Sequence, residues 1–313
     1  MINDLTDKIS ISGSIGVSIL KNDLHNKKIY IFYDDHSNSR YCPDSKIFLN
    51  DLFESMEKFM DVALVLEEPF LNSNSQIKVL WENSHHLIVF RKFYAKLIEK
   101  CSSKKICKVF PSDIRVELFD ISPDVIINDL CSTETKYQIT SFDYFNNILY
   151  LFDIGNFKIP HSNSTILFVK KVLTIYTKTD YYIQLKNKIT QFINKYNILE
   201  TSLTIQQLIK LHFSTDKFIY NEGFPFTSLP NENFINSLDK ISSGIMELYS
   251  TILILLLPSK NIIYYGGYYH SNNITYILKN KYDYKIVYSQ GTTDFLPDNT
   301  ESCISINKKI FDL

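Results

Sequence analysis

The amino-acid sequence predicts an α/β protein with a mainly parallel central sheet flanked by helices and a helical insertion in the middle of the chain. Three observations support this. Near the start, short apolar β-rich segments alternate with helical periodicity in the order strand, helix, buried strand, which is the parallel βαβ unit. Near the end the same alternation returns, at 261–265, 271–281 and 284–288. Between them, 142–212 is rich in aromatic residues, nearly free of glycine and helical in its spacing. The chain therefore reads as 1–135, the first part of an α/β core; 136–230, a helical insertion; and 231–313, the second part of the same core.

Residues 8–20 (KISISGSIGVSIL) alternate apolar and polar positions around a glycine-containing centre, the pattern of one long strand or of a hairpin at a sheet edge. Residues 28–32 (KIYIF) form a strand that runs into the polar cluster Asp34-Asp35-His36-Ser37-Asn38-Ser39. After Pro43, Asp44 or Ser45 can cap a helix whose apolar positions include Leu49, Leu52, Phe53 and Met56. The run 61–66 (DVALVL) is a buried strand ending in Glu67-Glu68-Pro69. A long helix is expected over 77–100 and a β-rich segment over 108–119. The insertion holds helices at 166–176, 181–196 and 204–212, and another covers 232–257. Then come the strand 261–265 (NIIYY), a Gly266-Gly267 turn, a helix from Ser271, which is a natural N-cap, and a last strand.

Composition excludes several classes. Hydrophobic residues make up 45% and charged residues 21%, enough to bury a core and too little charge for disorder. Thirty-three basic residues against thirty-four acidic ones supply no long-range attraction to phosphate backbones, so nucleic acid is not an expected partner. The longest apolar run, 252–257, is far short of the ~20 residues a bilayer span needs, and no signal-peptide pattern opens the chain. Five scattered cysteines without a CxxC pair read as reduced thiols in the cytoplasm. Heavy use of Asn, Ile, Lys and Tyr points to an AT-rich genome, such as that of a large DNA virus, in which case host cytoplasm or virion is the expected location. Twenty-one Tyr and twenty-two Phe are compatible with a protein partner.

In open parallel sheets functional groups gather at the carboxyl ends of the strands. Three clusters fall there: Asp34-Asp35-His36, Glu67-Glu68, and Gly267-Tyr268-Tyr269-His270. Two imidazoles with two or three carboxylates suit a metal with open positions, or a metal-free site where a carboxylate activates water and a histidine shuttles the proton. Plainer readings stand beside these: a polar turn at Asp34–His36, a solvated strand exit at Glu67, a helix start at His270. Arg115 is either a bidentate substrate clamp or a salt-bridge partner of a strand-end acid, and Arg40 is similar. Cys42, six residues after His36, is a nucleophile in a Cys/His arrangement or a buried structural thiol. His85 and His86 are adjacent rather than four apart and form no paired site.

The late segment IIYYGGYYHSNNITYILKNKYDYKIVY, in which Gly267 and His270 form a GxxH turn before a helix and a strand, resembles the superfamily of erythromycin esterases, ChaN-like proteins and TIKI/TraB proteins. The early Tyr33-Asp34-Asp35-His36 keeps the acid and the histidine but has tyrosine where the family has glycine. The resemblance covers roughly the first 120 and the last 60 residues and rests on short motifs. It implies His36, His270, Asp34 and Glu67 around one cleft; as a bidentate clamp, Arg115 would orient a small-molecule or peptide substrate there. Hydrolysis would then use a divalent metal (Mn, Co or Zn) on His36, His270 and Glu67, as in the TIKI branch, or no metal, as in the esterase branch. The rival expectation is a catalytically inert binding or structural member in which Tyr33 fills the pocket.

Overall fold

The structure, a computed structural model, describes residues 8–24, 26–35, 42, 51–54, 56, 61–70, 85–103, 108–121, 123, 126, 136–212, 234–293, 302–307 and 310. In chain order its elements begin with β1 (Lys8–Ser12), β2 (Gly16–Asn22), β3 (Lys27–Asp34), β4 (Val62–Leu66), α1 (His85–Ser103), β5 (Val109–Pro111) and α2 (Arg115–Leu118). Among the described residues four helices follow: α3 (Ser141–Phe152), α4 (Ser164–Thr174), α5 (Asp180–Lys195) and α6 (Ile205–His212). The last elements are α7 (Phe234–Leu256), β6 (Asn261–Gly267), α8 (Tyr268–Lys281), β7 (Lys285–Gly291) and β8 (Cys303–Asn307).

Six strands form one mixed sheet in the order β5-β4-β6-β3-β2-β7. β6, from the end of the chain, lies parallel between β3 and β4, from its beginning. The α/β reading with its two sequence-distant halves on one sheet therefore holds. The central strands are buried on both faces, which is why they read as continuous apolar runs rather than alternating ones. On one face Tyr30, Phe32, Leu64, Leu66, Ile263 and Tyr265 pack with Phe53, Met56 and, from α1, Phe93, Tyr94 and Leu97. On the other, α8 fastens to β3 and β6: Ser271 Oγ donates to Phe32 O and Gly266 O, each at 3.0 Å.

Several expectations change. The segment 8–20 is neither one strand nor a hairpin, because Gly13 takes a positive φ of 90° that only glycine adopts freely. The turn sends β1 to pair with β8 as a separate two-stranded ribbon, while β2 pairs with β3 and β7. The β-rich reading of 108–119 ends at Pro111; Arg115–Leu118 is helical, its first N–H donating to Asp113 Oδ1 at 3.2 Å. Gly266 and Gly267 finish β6 rather than form a turn, and α8 starts at Tyr268 with Gly267 as N-cap, so Ser271 lies inside the helix.

The reduced-thiol reading fails at two positions. Cys42 and Cys303 form a disulfide, joining residues 261 apart in sequence. Pairing of β1 with β8 carries Cys303 opposite Ser12, whose Oγ accepts the Cys42 N–H at 3.2 Å, and this brings the two Cα atoms to 4.9 Å, within bonding range.

Two compact units emerge. The first comprises Met1–Glu68, Val79–Ser112 and Leu253–Leu313 and contains both sheets. The second comprises Pro69–Lys78 and Asp113–Ile252 and is helical. Its helices carry side-chain caps that local sequence supplies: Thr140, Asn163 and Thr179 accept N–H groups of Asp143, Ile166 and Tyr182. Its core stacks aromatic rings, among them Phe119 on Tyr144 at 4.9 Å and Phe145 against Phe192 at 5.7 Å. No described helix is long and apolar enough to cross a membrane.

Candidate active site

The carboxyl ends of β3, β4 and β6 lie side by side, so residues just past them must share one edge. The register pairs Asp34 with Gly267 and Leu66 with Tyr265, and the Glu67 N–H extends the ladder by donating to Tyr265 O at 2.9 Å. Glu67 thus leaves β4 beside the start of α8. Its Oε2 accepts the Gly267 N–H at 2.7 Å, filling one of the backbone positions that a helix leaves open at its N-terminus. Its Oε1 lies 3.6 Å from Nε2 of His270, in the first turn of that helix. The carboxylate is 5% exposed and the imidazole 17%, so the acid is inside and the ring reaches solvent.

Gly266 makes this approach possible. A β-carbon there would stand 2.8 Å from Glu67 Oε2 and 2.6 Å from the Tyr264 hydroxyl. Close backbone approach, not positive φ, is therefore what this glycine provides.

Two more buried acids border the pair. Asp34 is 1% exposed at the end of β3, beside the Tyr265 hydroxyl. Burial pushes that phenol well above its ordinary range, and the charge of Asp34 beside it adds to the effect. The same hydroxyl lies 3.1 Å from Gly13 O, which accepts it. Glu68 is held by Arg91 of α1, whose Nε lies 3.1 Å from Oε1 and 3.2 Å from Oε2. Burial, with the charge of Glu68 next, raises the neighbouring Tyr94 phenol.

Of the expected site, Asp34, Glu67 and His270 fall on this edge. His36 and Arg40 lie outside the described residues. Arg115 belongs to the second unit, where Asp113 grips its guanidinium, Nε to Oδ1 at 2.8 Å and a terminal nitrogen to Oδ2 at 3.0 Å. That is the salt bridge to a strand-end acid, since Asp113 follows β5. Cys42 is not a free thiol, so it has no thiolate to offer as a nucleophile.

Of the expected metal ligands, Glu67 Oε2 accepts a backbone N–H and Oε1 lies 3.6 Å from His270 Nε2, while His36 lies outside the described residues. Among the described residues no group of three or more His, Cys, Asp or Glu is placed to hold a metal ion.

Tyr265 and Arg91 escaped the sequence reading. Tyr265 pairs with Phe32, two residues before Asp34, so once the strand register is known side-chain parity puts it on the Asp34 face. Nothing local singles out Arg91 among the charges of α1. Comparison of the chain with protein-family models, with curated proteins and with solved structures gives no match.

Proposed function

We propose that the chain is a hydrolase of the kind found in the erythromycin esterase branch of that superfamily, with His270 as the acid–base group and Glu67 as the residue that orients it. The observation that supports this is the geometry of one carboxylate: Oε2 fixed by the Gly267 N–H, Oε1 facing His270 Nε2 across 3.6 Å. At that separation the contact is an ion pair once the ring is protonated and becomes a hydrogen bond on a small closure, as catalytic contacts often do when substrate arrives.

With Nε2 turned to Glu67, Nδ1 is the nitrogen that exchanges a proton with water. The ring takes a proton from water as it attacks an ester carbonyl, and Glu67 stabilises the resulting imidazolium. The ring then returns the proton to the departing alkoxide. Ordered transfer of this sort contributes about 10²–10⁴ in rate.

A second reading rests on Tyr33. Its hydroxyl bonds Thr275 Oγ1 at 2.8 Å and Ser18 Oγ at 3.2 Å, and its ring lies 6.1 Å from that of Tyr268, so the side chain fills the space between β2, β3 and α8. In an inert member, Glu67 would only cap α8.

Turnover of a panel of short-chain nitrophenyl esters, with chelator present, separates the two. Hydrolysis by wild type that falls about 10²-fold or more in His270→Ala supports the enzyme. No turnover supports the inert reading, and equal turnover by the variant rules out His270 as the acid–base group.

A further inference from the structure

We infer that the Cys42–Cys303 disulfide is a redox-responsive clamp: oxidised, it holds the Ser12–Gly13 turn against Tyr265 and Asp34, and reduced by a dithiol, it releases that turn. The inference stands whether or not the site hydrolyses esters.

Three residues, Ser12, Gly13 and Tyr265, separate the disulfide from Asp34. Cys303 opens β8 directly opposite Ser12, and the Cys42 N–H donates to Ser12 Oγ. The next residue, Gly13, donates its N–H to Ser302 O at 3.0 Å and accepts the Tyr265 hydroxyl on its carbonyl at 3.1 Å. The Asp34 carboxylate lies beside the same Tyr265 hydroxyl. On the far side of the turn Ser14 Oγ and the Ile15 N–H both donate to Tyr33 O, at 2.9 and 2.8 Å. A short path of contacts thus runs from the sulfur pair through the Ser12–Gly13 turn to Tyr265, beside the strand-end carboxylate.

Among the described residues β1 and β8 pair only with each other, and a two-stranded ribbon is marginal without packing. Ile11, Ile304 and Ile306 supply that packing. Against it, Ser302 is fully buried and its hydroxyl has no partner among the described residues, a local cost next to Cys303.

Reduction proceeds through the more exposed partner. Cys42 is 6% exposed, while Cys303 is half-buried. A thiolate of the dithiol attacks Cys303 sulfur, Cys42 leaves as thiolate and takes a proton, and the second thiol of the reductant resolves the mixed disulfide. Two electrons and two protons pass to the protein, and the dithiol closes to its own disulfide.

The test is peptide mapping of the non-reduced protein, followed by amide hydrogen exchange before reduction with dithiothreitol, after it, and after reoxidation. We expect a linked Cys42–Cys303 peptide, exchange over 11–15 and 302–306 that accelerates about tenfold or more on reduction and recovers on reoxidation, and unchanged exchange in β4 and β6. Absence of the linked peptide overturns the clamp. So does unchanged exchange on reduction, and so does an equal rise throughout the sheet, which would make the bond a general staple. Cys303→Ser, compared with reduced wild type, is expected to reproduce the accelerated pattern without added reductant; a pattern matching oxidised wild type counts against the clamp.

Discussion

At the amino ends of β3, β4 and β6, charged groups stay in contact with water and serve the backbone. The Asp61 carboxylate, 51% exposed, accepts Ser259 Oγ at 3.1 Å and the Lys260 N–H at 3.2 Å, with Lys108 Nζ 3.8 Å away. Lys27 Nζ donates to Ile254 O and Leu255 O, closing the last turn of α7. At the carboxyl ends of the same strands, Asp34, Glu67 and Glu68 are buried within a few residues of one another. Burying a carboxylate costs several kcal/mol unless partners compensate. The amino end shows that these strands can be joined without that cost, so the carboxyl end is the place where the fold keeps groups that joining alone does not require.

The contrast is most exposed to test at Arg91. Removing it leaves Glu68 buried without its charge partner, and Arg91→Ala is expected to lower the unfolding free energy at pH 7 by about 3 kcal/mol, measured by urea denaturation. A loss below about 1 kcal/mol would mean that Glu68 is solvated like Asp61, and the two edges would no longer differ. Next in size is Gly266→Ala, which forces a methyl group against Glu67 and Tyr264 and is expected to cost about 1–3 kcal/mol.

How much of this was legible in the sequence depends on whether a feature is local. The apolar runs at 28–32, 61–66 and 261–265 revealed buried strands, and Thr140, Asn163 and Thr179 stand where helix caps belong. The acids and His270 were found because strand ends are read directly from the chain. The position of β6 between β3 and β4, the β1–β8 ribbon and the disulfide were not, since periodicity says which face is buried and not which strand lies beside it. The start of α8 was placed three residues late for the same reason: the group that meets the Gly267 N–H comes from Glu67, some 200 positions earlier.

The alkaline limb of stability sharpens the comparison further. Burial raises the Tyr265 phenol well above its usual value near 10. The folded protein therefore keeps this proton where the unfolded chain loses it, so the stability it contributes is intact below about pH 10 and falls as pH rises beyond. Tyr265→Phe is expected to move the alkaline unfolding midpoint upward, read by circular dichroism; an unmoved midpoint would mean that the phenol is not buried beside Asp34. The smallest effect belongs to the amino edge. Lys108→Ala, which removes a half-buried, distant partner of the exposed Asp61, is expected to change stability by less than about 0.5 kcal/mol.

The most direct measurement of the central claim is the pair of values for Glu67→Gln: kcat/KM on the best ester substrate and the urea midpoint of unfolding. The amide oxygen can still accept the Gly267 N–H, so the midpoint is predicted to stay near that of wild type, while the lost negative charge beside His270 lowers kcat/KM about 10²-fold. A variant that turns over substrate as wild type does, or a wild type that turns over none, would contradict the account.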